Sequence, residues 1–305
     1  HDRHGLDPFI SFTAPSDGAY RVRIFAFPSV PDTSIRFSGA DTYIYRLTIT
    51  TGPYLDHVLP LSLQAGKSQN LKLRGWNLSK DLDQVTLRGQ DDLSPVRVFK
   101  SGIAGNISVS STPYPSLVYL KSKQNMSVES SCVISGCLDV DKNDSFDLKF
   151  KKGEKYKVKV DARSIGSDLD PLIVQVDSSG KEIKRVDDEG TSSRDASLEI
   201  TSNGEPMILK ISDLHNHHGD TYYYRLTFSL IVQDFDFSVD GDIFSPKDKK
   251  PVEVPIKISR VLGHSSDIMF KAIDLPKGWS AEELTVTSKS PSPVKLVLKP
   301  DDKAE

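Results

Sequence analysis

Asp220-Thr-Tyr-Tyr-Tyr-Arg-Leu-Thr227 has an earlier counterpart in the chain, Asp41-Thr-Tyr-Ile-Tyr-Arg-Leu-Thr48, identical at seven of eight positions. Two more segments ahead of each stretch also match, in the same order. Asp195-Ala-Ser-Leu-Glu-Ile200 answers to Asp7-Pro-Phe-Ile-Ser-Phe12, and Met207-Ile-Leu-Lys-Ile211 answers to Tyr20-Arg-Val-Arg-Ile24. Three matched segments in one order mark a duplicated module. Their side chains alternate between polar and apolar, which sends one set to a core and the other to water, as in a half-buried strand.

The same period runs through the rest of the chain. Tyr20–Phe25, Tyr43–Ile49, Asn70–Arg74, Phe146–Phe150, Tyr156–Val160, Pro251–Ile258 and Pro293–Leu298 all alternate. Between them stand turn-forming clusters such as Ser16-Asp-Gly18, Lys151-Lys-Gly153, Ser178-Ser-Gly180 and Ser202-Asn-Gly204. Glycine there tolerates positive φ, and Asp or Asn bonds its own backbone. No stretch carries a capped 3.6-residue period, so any helix is a single turn. The fold class is all-β, built of tandem antiparallel β-sandwich domains of jelly-roll or Ig-like type.

The two copies are unequal. About six strand-like segments, from Cys132 to Val186, precede the matched part of the second copy, whereas six residues precede Asp7. Residues 1–52 therefore read as the C-terminal half of a first sandwich, with open strand edges that a further segment upstream in the same protein is expected to complete. Residues 53–124 read as an Ig-like β domain, 125–232 as the complete sandwich, and 233–305 as a C-terminal Ig-like β-sandwich.

A family resemblance is carried by the complete copy. Gly136 to Phe150, Gly153-Glu-Lys-Tyr-Lys-Val-Lys-Val-Asp-Ala162, Leu169-Asp-Pro-Leu-Ile173, Asp177-Ser-Ser-Gly180, Asp187-Asp188, Asp195-Ala-Ser-Leu198 and the Tyr-Arg-Leu-Thr strand fall in a recognisable order. Over residues 125–232 this resembles the bacterial pre-peptidase C-terminal (PPC) domain, a small β-sandwich appended to secreted peptidases and other exported proteins. Leu59 to Trp76 and Phe235 to Pro300 are similar to the Ig-like domains found between bacterial surface modules or attached to exported enzymes. Trp76 and Trp279 are expected to anchor the two thin cores. The resemblance implies a secreted, periplasmic or cell-surface protein.

Bulk properties narrow the function. The chain has 305 residues, 37% hydrophobic and 27% charged, which suits folded modules rather than a disordered tail. A formal net charge of −3 supplies no basic field for nucleic acid, so no nucleic-acid partner is expected. Membrane insertion is not expected either, because apolar runs such as Leu172–Val176 fall far short of the ~20 residues a spanning helix needs.

Few residues suggest chemistry. Gly-x-Ser-x-Gly, His-Glu-x-x-His and Gly-x-x-x-x-Gly-Lys motifs are all missing from the sequence. In Asp213-Leu-His-Asn-His-His-Gly-Asp220, the imidazoles of His215, His217 and His218 could ligate zinc or nickel, although a polar turn is the simpler reading. Asp139-Val-Asp-Lys-Asn-Asp144 begins like a calcium loop, but Asp144 and Phe150 stand where that loop needs Gly and Glu. Some members of the resembling family bind calcium through an acidic Glu-Pro-Asn-type segment, which Asn125–Ser131 lacks. Asp187 and Asp188 are a further pair of candidate ligands, read here as a solvated turn. No cofactor is called for, and calcium is disfavoured.

Cys132 and Cys137 are an odd number of residues apart, on opposite faces of a regular strand, unless Gly136 introduces a bulge that lets them bond. Period two puts Tyr222 and Tyr224 on one face, where core packing outweighs ligand contact. The expected function is a non-catalytic binding or spacer region, originally linked to an upstream peptidase or other exported domain, with a protein or polysaccharide as its ligand. The alternatives are an envelope array joined through strand edges, and, ranked last, a hydrolase or metal-dependent enzyme.

Overall fold

A computed structural model describes residues 8–28, 36–121, 125–190, 193–246, 250–261 and 264–301. Asp7, which opens the first matched segment, and the ends of several expected domains lie outside these residues. Helical structure among the described residues is limited to two 3-10 turns, Lys80–Leu82 and Arg163–Ile165. Everything else regular is strand, so the fold is all-β.

The first β domain has six strands: β1 (Tyr54–Leu59), β2 (Ser62–Gln64), β3 (Ser68–Trp76), β4 (Gln84–Arg88), β5 (Val96–Val98) and β6 (Ile107–Thr112). They form two three-stranded sheets, β1-β3-β4 and β2-β6-β5. Alternation in β3 points Leu71 and Leu73 inward, where they meet Leu55, Val58, Leu63, Val98 and Val109. Trp76 is not part of this cluster. It ends β3 half-buried, with its ring 4.9 Å from Phe9 and 6.0 Å from Tyr54. The aliphatic strand centres thus build the core, and the Trp covers its end.

The sandwich has ten strands: β7 (Ser116–Val118), β8 (Met126–Val128), β9 (Cys132–Cys137), β10 (Asn143–Leu148), β11 (Lys155–Asp161), β12 (Pro171–Asp177), β13 (Glu182–Val186), β14 (Ala196–Thr201), β15 (Met207–Asp213) and β16 (Tyr223–Leu230). One sheet runs β13-β12-β15-β10-β8 and the other β14-β11-β16-β9-β7. The sandwich therefore takes in a strand at 116–118, ahead of residue 125. Not every ladder is antiparallel: β7 joins β9, and β8 joins β10, in parallel at the sheet edges. Phe146, Leu148, Val158, Ile173, Leu209, Ile211, Leu226 and Phe228 fill the space between the sheets.

Strands β17 (Asp234–Val239), β18 (Val252–Val261), β19 (Ile268–Phe270), β20 (Trp279–Ala281), β21 (Leu284–Val286) and β22 (Val294–Pro300) follow. Their sheets are β17-β18-β22-β20 and β19-β21, over a core of Ile256, Ile268, Val286, Val294 and Leu296. Trp279 lies outside that core too, on the edge strand β20. By contacts the chain divides into two compact units. The first runs to Phe150 and adds Val158–Leu198 and Glu205–Phe228; the second takes Lys151–Lys157, Glu199–Gly204 and the chain from Ser229.

Residues 8–28 and 36–52 depart from the sequence reading. Tyr20–Phe25 and Tyr43–Ile49 alternate as strands should, yet neither forms one; Ala26 and Ser38 make an isolated antiparallel bridge. A strand exists only by virtue of a neighbour that takes its N–H and C=O groups, and local alternation cannot supply one. Val22, Ile24, Ile44, Tyr45, Leu47 and Ile49 are consequently left exposed.

Candidate functional site

A set of hydrogen-bonded polar side chains lies where the first β domain meets the sandwich, within one compact unit. β1 slips its register between Leu55 and His57, and Leu55, Asp56, His57 and Val58 are all buried in succession. A strand buried on alternate residues serves one core. This one serves two, with Leu55 and Val58 in its own domain and His57 against the sandwich. Asp56 Oδ2 lies 2.9 Å from His57 Nδ1, and the imidazole stacks on the Tyr223 ring at 4.0 Å and 21°.

Two residues along β16, Arg225 makes the tie between domains. Its Nε and Nη2 donate to Asp161 Oδ2 at 3.1 and 2.9 Å, and Nη1 donates to Ser110 Oγ on β6 at 2.9 Å. Lys159 Nζ, 2.9 Å from Asp161 Oδ1, holds the other carboxylate oxygen. The backbone N–H of Leu61 donates to Ser135 Oγ at 2.7 Å, and the Ser62 and Ser116 hydroxyls lie 2.8 Å apart. A cleft of about 310 Å³ opens over this joint, lined by Asp56, His57, Asn106, Ser108, Ser110 and Arg225 among others. A second of about 170 Å³ includes Arg74, Trp76, Cys137, Asp139 and Asp220 in its lining.

The titratable groups near the joint are tuned by burial. Cys132 and Cys137 are both free, at opposite ends of the unbroken β9–β16 ladder, so no bulge at Gly136 brings them together. Desolvation pushes their thiols up to about 11 and about 12, which keeps them protonated at neutral pH and poor as nucleophiles or metal ligands. Asp144 is pushed up to about 6 by burial, against the opposing effect of the Tyr224 hydroxyl, which donates to Oδ2 at 2.6 Å. That phenol is raised well above its ordinary value, chiefly by its own burial.

The histidine loop is organised by a buried carboxylate rather than by its imidazoles. Asp213 Oδ1 accepts the Asp170 N–H at 2.9 Å, and Oδ2 accepts the His215 and His217 N–H groups at 3.0 Å each. The His215 and His217 rings sit 6.1 Å apart, both side chains 63% exposed, and His218 is exposed beside them. Asp187 and Asp188 lie exposed after β13, on a separate loop. Among the described residues no three His, Cys, Asp or Glu side chains group to hold a metal ion. In the acidic 139–144 turn, Lys121 Nζ lies 2.8 Å from Asp139 and 3.6 Å from Asp141, so the chain brings its own cation to these carboxylates.

Tyr224 is fully buried in the sandwich, so it offers no face to a ligand, and Tyr222 is half-buried just before β16. Sequence reasoning did not single out Asp56, His57, Asp161, Ser110 or Arg225. Arg225 and Asp161 left a trace, as members of the repeated Tyr-Arg-Leu-Thr stretch and of the Gly153–Ala162 segment.

No protein-family model and no curated protein matches the sequence. Among solved structures, one similar chain is the pre-peptidase C-terminal domain of collagenase from Bacillus anthracis, at 11% identity and a TM-score of 0.29. The match covers 36% of this chain and all of that one. Another is a "putative secreted protein" from Eubacterium rectale, at 9% identity and a TM-score of 0.30, covering 60% of this chain and 70% of that one. The chain is thus similar, over part of its length, to a pre-peptidase C-terminal domain.

Proposed function

We propose that the chain is a non-catalytic accessory region of an exported bacterial protein, a spacer whose first β domain and sandwich act as one rigid piece. The observation that carries this reading is the Arg225 fork. The Arg225 guanidinium is spent on holding Asp161 and Ser110 rather than aimed into open solvent. The sequence resemblance over residues 125–232 adds the exported setting and an attachment to a peptidase or other secreted domain. Among the described residues no helix is long and apolar enough to cross a membrane. A ligand, protein or polysaccharide, would meet the Asp56, Asn106, Ser108 and Ser110 groups that line the larger cleft.

Calorimetric unfolding tests the reading. Residues 53–118 and the sandwich should melt in one transition, which Arg225→Ala should split into two. Separate transitions for residues 53–118 and for the sandwich in the unaltered protein, or turnover of generic peptide or glycoside substrates, would refute it.

A further inference from the structure

Strand β17 stands at the end of its sheet, β17-β18-β22-β20, and among the described residues it pairs with β18 alone. An edge strand turns every second N–H and C=O outward, and the register shows which ones. Ile258 of β18 donates its N–H to Ser292 Oγ at 3.1 Å, and its C=O accepts the same hydroxyl at 3.5 Å. Ser292 leads into β22, whose Val294 pairs with Ile256. Backbone direction alternates along a strand, so Ile258 and Arg260 face the β22 side, whereas Lys257, Ser259 and Val261 face β17. Their partners Ser238, Asp236 and Asp234 carry the ladder. Phe235 and Phe237, opposite Arg260 and Ile258, therefore turn their backbone groups to the open edge.

Both outward N–H groups are already taken. Phe235 N–H donates to Asp234 Oδ1 and Phe237 N–H to Asp236 Oδ1, each at 2.8 Å. Each aspartate thus caps the donor of the residue that follows it. The edge would otherwise suit an added strand: it runs six residues, and Phe237 and Val239 are 53% and 39% exposed. We infer that Asp234 and Asp236 guard β17 against a second copy of this chain, by occupying the donors that a new ladder needs. The excluded pairing is that of two β17 strands lying antiparallel across a two-fold axis, each supplying the outward N–H and C=O groups of Phe235 and Phe237 to the other. The guard is the carboxylate oxygen as an acceptor, beyond the repulsion of like charges. This inference concerns the C-terminal sheet alone and is independent of the spacer reading.

Sedimentation equilibrium and amide exchange at Phe235 and Phe237, both at pH 7, test it on the full chain. Asp234→Ala/Asp236→Ala removes both acceptors at exposed positions. Between about 10 and about 500 µM its mass should approach twice that of the unaltered chain, and both amides should slow at least ~10-fold. Asp234→Asn/Asp236→Asn keeps an acceptor and loses the charge, and should show neither change. Adding Phe237→Pro to the alanine pair should restore the behaviour of the unaltered chain, since proline deletes an outward N–H that β18 does not use. An alanine pair that shows neither effect overturns the inference. An asparagine pair that associates like the alanine pair overturns it too, because repulsion would then be the guard. Association that survives Phe237→Pro, or protection of the two amides that rises with concentration in the unaltered chain, overturns it as well.

Discussion

Replacing Asp144 by Asn isolates one buried carboxyl whose protonation opposes the usual trend of acid denaturation. In the folded chain Asp144 is raised from 3.8 to about 6, first by desolvation, with Asp139 and Asp141 adding to the rise and Tyr224 and Lys121 opposing it. A carboxyl raised on folding binds more protons in the native state than in the unfolded one at intermediate pH. Its contribution to stability is therefore full below about 3.8 and is lost as pH rises through about 6. At about 1.4 kcal/mol per pH unit, the displacement amounts to about 3 kcal/mol. Asn keeps an acceptor for the Tyr224 hydroxyl without a charge to desolvate. Urea unfolding of both proteins at pH 4, 5, 6 and 7.5 should give a difference curve that shifts toward the variant by ~2–3 kcal/mol across that range. Other titrating groups cancel in the difference. A flat difference curve, or one with the opposite slope, would refute the assignment of Asp144 as a carboxyl held near-neutral by burial.

Gly136→Ala should destabilise the sandwich by ~2–4 kcal/mol, because the added methyl displaces Tyr224 from Asp144; equilibrium unfolding at pH 7 measures it. Arg225→Ala should cost ~1–3 kcal/mol, and a double-mutant cycle with Ser110→Ala should show coupling between them, whereas strict additivity would mean the fork does not join the domains. Both thiols should react with iodoacetamide at pH 8 at least ~100-fold more slowly in the native protein than in denaturant; fast labelling of either would contradict thiols raised to about 11 and about 12. Zinc titration should give no binding at micromolar concentration. His215→Ala should change nothing in that titration, since Asp213 spends its oxygens on backbone N–H groups of the loop.

The all-β class was legible because alternation is a local property. Leu71 and Leu73 point inward in β3 for the reason they alternate in the sequence. The joint was not legible, because it depends on residues far apart in the chain that become neighbours only after both domains have folded. Arg225 and Ser110 are 115 residues apart, and Arg225 and Asp161 are 64 apart. His57 in turn is buried only because β1 slips its register. The tryptophans misled for a related reason: a large ring reads as a core residue, but at a strand end or on an edge strand it covers a core made by shorter side chains.

Residues 20–25 and 43–49 separate two kinds of information that a sequence usually delivers together. Their alternation specifies which face would be buried, and it does so as clearly as in the complete copy. Whether that face is buried depends on strands that lie alongside, which local alternation does not supply. The near-identity of Asp41–Thr48 with Asp220–Thr227 turns this contrast into a controlled comparison. With the local sequence almost constant, Tyr224 is enclosed between the sheets and Tyr45 is 70% exposed. A pattern in sequence is thus a statement of what a segment can pair with, and burial records whether the pairing took place.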